Sequence, residues 1–333
     1  MKKSVKFLTV IALIAVIALT CVAFTACNDD TDTIKVVAPE GTPALAIARL
    51  VTQNKSIGGK DMQYEIVNPD NIAAQMTSKI GDVIVMAVNA GAKLITQGAP
   101  YKLVSVAVNG SLFMVGKSES AREITFEELY GKRVACIGQT GVPGLVFRYV
   151  MANNNVKLVN DQTTPNAENK EVSVRYVKDG TAARSLLAGD EVDYAVVGEP
   201  AATAFKAAIG AKAEMNMQTK YAAISGKNNF PQAGLFVKTA LYQDEKFMNE
   251  LFEALSQSKA WVEANPTQVT EFVKKNLYES AAFPPASIAR CAIDCAKLSN
   301  DDKTEIIAFL KNVMPKDSTG AVIDWDAETD KIF

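Results

Sequence analysis

The chain has 333 residues, 48% of them hydrophobic, with 35 basic and 37 acidic side chains. No basic stripe or Lys/Arg run stands out, which removes the electrostatic footprint of a nucleic-acid binder. There is no histidine, which removes Ser-His-Asp and Cys-His catalysis, imidazole metal sites and the commonest general base.

Residues 1–27 read as an export signal rather than as part of the fold. Lys2, Lys3 and Lys6 form a positive n-region, residues 7–20 an uncharged apolar core, and small Thr25 and Ala26 stand just before Cys27. This order resembles a bacterial lipoprotein signal, although Phe24 stands where such signals usually carry Leu. The resemblance implies lipidation of Cys27 and attachment to the outer face of the cytoplasmic membrane. Two alternatives stay open: attachment at Cys21, and an uncleaved anchor helix, because residues 7–26 are long enough to span a bilayer. Residues 28–33 hold nothing apolar and form a solvated tether. Without residues 1–26 the chain loses three of its 35 basic residues and none of its 37 acidic ones, a formal charge of −5.

From residue 34 strands and helices alternate. The pattern predicts strands over 34–38, 64–67 and 83–88, with helices over 44–51 and 71–79; Asn89-Ala90-Gly91 then leads into a helix over 92–97. Further strands fall over 103–108 and 112–115. Continuous Val/Ile runs between helical stretches argue for βα units and sheets buried on both faces. The pattern restarts with a short helix and turn over 124–133, a strand over 134–137, the glycine-rich turn 138–144 and a helix over 145–153. A strand over 172–177, a helix over 181–188, a strand over 192–197 and a helix over 201–208 follow. After a strand over 233–238 the remainder is almost all helix, over 245–263, 266–276, 285–298 and 300–313. Cys291 and Cys295 would share one face of the helix over 285–298. Four-apart helical positions suit a disulfide poorly, and no second ligand pair suggests zinc. They read, like Cys136 in its strand, as small buried hydrophobes.

Three segments resemble a known family. The run "TFEELYGKRV" (125–134) is similar to the element opening the second lobe of type II periplasmic binding proteins. The segment "ARSLLAGDEVDYAVVGEPAATA" (183–204) looks like their Gly-Asp…Glu-Pro element, and "PQAGLFVKTALYQDEKFMNELFEALSQSKAWVEANPTQV" (231–269) like their return strand and first C-terminal helices. The closest branch is the sulfonate-, nitrate- and thiamine-precursor-binding receptors of ABC importers. The resemblance implies a two-lobed α/β fold with two mixed sheets flanked by helices. Lobe 1 would comprise residues 34–115 and 232–333, its helical C-terminal part packed on it, and lobe 2 residues 116–231, with crossing strands near 111–115 and 233–238. It implies a small-molecule ligand between hinged lobes, an ABC permease as partner, a monomer, no cofactor and no catalysis.

In open α/β sheets the crevice lies at the carboxyl ends of strands, where loops lead into helix N-termini with unpaired N–H groups. That rule selects the candidate ligand residues. Glu40, Gly41, Thr42 and Pro43 follow the first strand, with Thr42 suited to the N-cap and Pro43 to the first helical position; an ordinary cap is the alternative. Asn89 follows the third strand and either meets a ligand or holds a turn. Asn109 precedes the proposed crossing. Gln139, Thr140 and Gly141 form the second lobe's strand-to-helix turn, where glycine permits close backbone approach. Glu199 matches the family's cleft-facing position, but Gly198 replaces the usual aromatic, and a carboxylate favoured by a helix start is the alternative. Phe230 and Gln232 enter the return strand. Tyr176, Tyr221 and the aromatics around Trp261 read as packing.

Residues 110–118 look like a phosphate loop, but five residues separate the glycines where four are needed, and the middle is an apolar strand. A pyridoxal-dependent enzyme on the same fold would need histidine, which is absent. A lipoprotein that presents its ligand to a membrane sensor is the other alternative. With no Arg or Lys in the candidate loops, the ligand is expected to be neutral, zwitterionic or heteroaromatic rather than fully anionic.

Overall fold

The computed structural model describes residues 33–316 and 319–333; the expected signal and Cys27 lie outside the described residues. Two mixed sheets organise the chain. Sheet I has six strands in the order β2-β3-β1-β4-β13-β5: β1 Ile34–Pro39, β2 Ser56–Ile57, β3 Lys60–Val67, β4 Val83–Ala87, β5 Tyr101–Asn109 and β13 Pro231–Lys238. β1 runs parallel to β3 and β4, whereas β13 is antiparallel to both β4 and β5. Sheet II has seven strands in the order β7-β12-β6-β11-β8-β10-β9: β6 Leu112–Gly116, β7 Arg122–Glu123, β8 Lys132–Ile137, β9 Lys157–Asn160, β10 Glu171–Val177, β11 Tyr194–Gly198 and β12 Ala213–Asn216. Here β8, β9, β10 and β11 are parallel, and β6 returns antiparallel between β11 and β12.

The continuous apolar runs are buried on both faces because helices cover both. Val36 and Val85 of sheet I pack on one side with Phe247 and Leu251 of the helix Glu245–Ala264. Val37 and Ile84 face the other way, into a cluster that continues through Phe230 and Phe309 to Met114 and Val134 of sheet II. The link is aromatic: Phe309 of the helix Asn300–Val313 stacks on Phe230 at 6.0 Å and meets Tyr221 edge-on at 6.0 Å. Offset and edge-to-face ring pairs are the favourable arrangements.

The chain crosses between the sheets twice, after β5 and before β13. The crossings are tied together, since Gly110 N–H donates to the Phe230 carbonyl at 2.8 Å and Ser111 N–H to Gln232 Oε1 at 3.2 Å.

Four local expectations change. The helix over 92–97 starts earlier, as Val88–Thr96, so Asn89 lies in its first turn rather than in a loop. The helix over 44–51 is two short ones, Thr42–Ala46 and Leu50–Gln53. The helix over 124–133 is reduced to the 3₁₀ turn Glu127–Leu129. The helix over 285–298 is absent: after 3₁₀ turns at Pro285–Ser287 and Ala289–Cys291 the chain extends along β5, where Ile293 bridges to Val108 and Lys297 to Ser105. Ala292 at φ 48° and Cys295 at φ 77° make the bends. The segment covers the edge of β5, which would otherwise present unpaired N–H and C=O groups. Cys291 and Cys295 therefore share no helical face, although both are buried free thiols.

A candidate ligand cleft between the sheets

The turn after β1 is held open by glycine. Gly41 has φ 93°, a conformation that disfavours any side chain, and its N–H donates to the Tyr278 hydroxyl at 3.0 Å. Burial, which opposes the phenolate, pushes Tyr278 up to about 12. Pro43 occupies the first turn of Thr42–Ala46. Thr42 does not cap that helix; its hydroxyl donates to the Glu199 carbonyl, from sheet II, at 2.8 Å. Glu40 accepts from Ser280 at 3.3 Å.

Glu199 follows β11 and its side chain is wholly buried. One carboxylate oxygen accepts from Thr203 N–H and the other from Thr203 Oγ1, both at 3.0 Å, so it satisfies the first turn of the helix Ala201–Ile209. The same carboxylate accepts from Arg290 Nε. The other guanidinium nitrogens bind Glu214 of β12 at 3.1 and 2.7 Å, and Lys206 reaches Glu214 at 2.8 Å. The Arg290 guanidinium also lies 3.9 Å over the ring of Phe113 in β6.

A second meeting point lies at Asn89. It is 3% exposed; its amide nitrogen donates to the Thr140 carbonyl at 3.0 Å, and its Oδ1 has no hydrogen-bond partner among the described residues. Gly141 precedes the helix Val142–Asn153 without a side-chain cap, as Ala87 precedes Val88–Thr96. The Gln139 carbonyl accepts from Arg148 at 2.7 Å. Asn109 donates to Asp294 at 3.3 Å, fastening the extended segment to β5, and Gln232 accepts from Ser111 N–H at the crossing.

Between the sheets, a cleft of about 480 Å³ is lined by Glu40, Gly41 and Asp70 on one wall and by Lys178, Arg184 and Pro200 on the other. Lys178 and Asp70 pair across it at 3.1 Å. Of the expected residues, Glu40 and Gly41 line this cleft, Thr42 and Glu199 join the sheets beside it, and Asn89, Thr140 and Gly141 gather at the second point. Lys178, Arg184, Tyr278 and Arg290 were not foreseen. Lys178 follows β10, so the strand-end rule could have found it. Tyr278 follows the helix Val269–Asn276 and Arg290 sits in the 3₁₀ turn Ala289–Cys291, neither with a local signal. The cleft thus carries two cationic side chains that the strand-end loops first considered lacked.

No protein-family model matches the sequence, and no curated protein matches it. Solved structures do. An ABC transporter protein from Parabacteroides distasonis superposes with a TM-score of 0.69 at 20% identity, over 89% of this chain and 97% of that one. The ligand-binding component of an ABC-type import system from Staphylococcus aureus gives 0.60 at 12% identity over 84% and 91%. The alkanesulfonate-binding protein SsuA from Xanthomonas axonopodis pv. citri, bound to MOPS, gives 0.55 at 14% identity over 83% and 90%. The chain therefore has the two-lobed, type II periplasmic-binding-protein fold that these ABC-transporter components share.

Proposed function

We propose that the protein is a lipid-anchored solute receptor of an ABC importer. Cys27 carries the lipid at the outer face of the cytoplasmic membrane. Lobe 1 (34–115 with 232–333) and lobe 2 (116–231) close on one small molecule, and the closed monomer passes it to a permease subunit. No bond is made or broken, and a chain without histidine suits that role. The signal-like start, the fold and the neighbours that bind ligands for import support the reading.

Asn89 is the observation that carries it. A buried amide oxygen left without a donor costs about 1–3 kcal/mol, and a ligand N–H or O–H placed against Oδ1 recovers that loss. Two helices begin beside it without side-chain caps, so their unpaired N–H groups and positive dipole ends suit an acceptor on the same ligand. A compact molecule with both a donor and an acceptor edge, neutral, zwitterionic or heteroaromatic, fits these demands.

Purified residues 28–333 should be screened by thermal shift against sulfonates, nitrate, thiamine precursors, riboflavin, amino acids and nucleobases. A ligand at 100 times its dissociation constant stabilises the fold by about 2.7 kcal/mol. One class should shift the transition. No shift with any class, in protein shown to be folded and ligand-free, would overturn solute capture. Lipidation is checked separately: palmitate labelling of the full chain should vanish in C27A, and labelling that persists would move the anchor elsewhere.

A further inference from the structure

We propose that Arg290 is the positioning residue for closure, holding the two sheets together before any solute arrives. The proposal rests on the hinged reading above. The backbone of this segment belongs to sheet I: Asn109 N–H donates to the Ala292 carbonyl at 3.0 Å, Asp294 N–H to Ala107 at 3.1 Å and Cys295 N–H to Val106 at 2.9 Å. The side chain belongs to sheet II. Its guanidinium donates to Glu199 after β11, takes both oxygens of Glu214 in β12 and covers Phe113 in β6.

The chemistry makes this contact differ from the others between the sheets. Thr42 and Asn89 make neutral hydrogen bonds across the gap. The Lys178–Asp70 pair leaves its side chains 63% and 62% exposed, where ion pairs contribute little. Glu199 is fully buried, and its cation comes from the opposite sheet. A buried charge deprived of its partner is strongly disfavoured, so the sheets part only when Glu199 and Arg290 are hydrated together. The planar fork serves two carboxylates at once, with an aromatic face beneath it; a lysine ammonium is a point charge and cannot reproduce that arrangement. Lys206 supplies a second cation to Glu214 from within sheet II, so Glu214 keeps a counter-charge on opening and Glu199 does not.

The test needs no solute. Spin labels on S78C, in the turn that ends the helix Ile72–Thr77, and S185C, on the helix Gly180–Ala188, both exposed and flanking opposite walls of the cleft, report the distance across it in ligand-free residues 28–333. The parent should give one short-distance population. R290M should add a longer one that becomes the larger share, and R290K should fall between them. A folded R290M with the parent's distribution overturns the proposal. So does R290K opening the cleft no less than R290M, because a purely structural loss would not be rescued by charge. If R290M does not fold, E199Q decides, because it removes the buried charge that Arg290 answers: a longer population supports the latch, and an unchanged distribution ends it. Failure here leaves solute capture standing, and failure of the ligand screen leaves the latch standing.

Discussion

The hydroxyl of Thr42 donates to the Glu199 carbonyl at 2.8 Å, so the strand-to-helix turn after β1 is fastened to the one after β11. A residue suited to capping its own helix has been diverted to the opposite sheet. Thr42 is 3% exposed, and valine would keep its shape while removing the donor. T42V should lose about 1–3 kcal/mol, the cost of an abandoned buried acceptor, read as a lower urea midpoint at unchanged slope. T42S keeps the hydroxyl and should lose less. T42V as stable as the parent, with T42S less stable, would show that the methyl, not the bond, holds the turn.

Asn89 gives a prediction with two opposed terms. N89L removes a made hydrogen bond to Thr140 and also an unpartnered buried oxygen. The two nearly cancel, so ligand-free stability should change by no more than about 1 kcal/mol. N89D keeps an acceptor and sets it against the Thr140 carbonyl, so it should be clearly less stable. Any solute-induced thermal shift should be lost in N89L. A shift that survives intact would place the solute away from Asn89.

The alternation of strands with helices was legible because β1, β4 and β11 carry continuous apolar runs and β3, β8 and β10 shorter or alternating ones, a signal carried by neighbours in sequence. The segment 285–298 was not. Its apolar spacing suits a helix, but the unpaired edge of β5 offers backbone hydrogen bonds, and Ala292 and Cys295 take positive φ to reach them. Asn89 was misplaced because the helix Val88–Thr96 begins after Ala87, with none of the residues that mark an N-cap. The position of Glu199 at the turn after β11 was legible, but its partner Arg290 was not. They are 91 residues apart, and only the fold joins them.

Glu214 predicts acid sensitivity. Burial raises its carboxyl, but hydrogen bonds and charge from Arg290 and Lys206 outweigh that and hold it below the ordinary 4.5. A depressed folded-state value means that the group's stability is fully present above 4.5 and is lost as pH falls through the folded value. From about pH 5 to about pH 3 the parent should therefore lose more stability than E214Q. Parallel acid limbs for the two proteins would show that Glu214 contributes nothing there.

The thiols test the extended path of 292–297 directly. Cys136, Cys291 and Cys295 are free and buried. Burial, which opposes the thiolate, pushes Cys291 and Cys295 up to about 12 and Cys136 higher still. The thiolate is the reactive form, so neither access nor ionisation favours attack. Residues 28–333 should show no reactive thiol with an aromatic disulfide reagent at pH 8, and three after denaturation in guanidinium. One fast thiol in the native protein, traced to Cys295 by C295S, would mean that the chain beyond Ala292 leaves the edge of β5 in solution. Silence from all three places it against that edge, where the Cys295 N–H donates to Val106 at 2.9 Å.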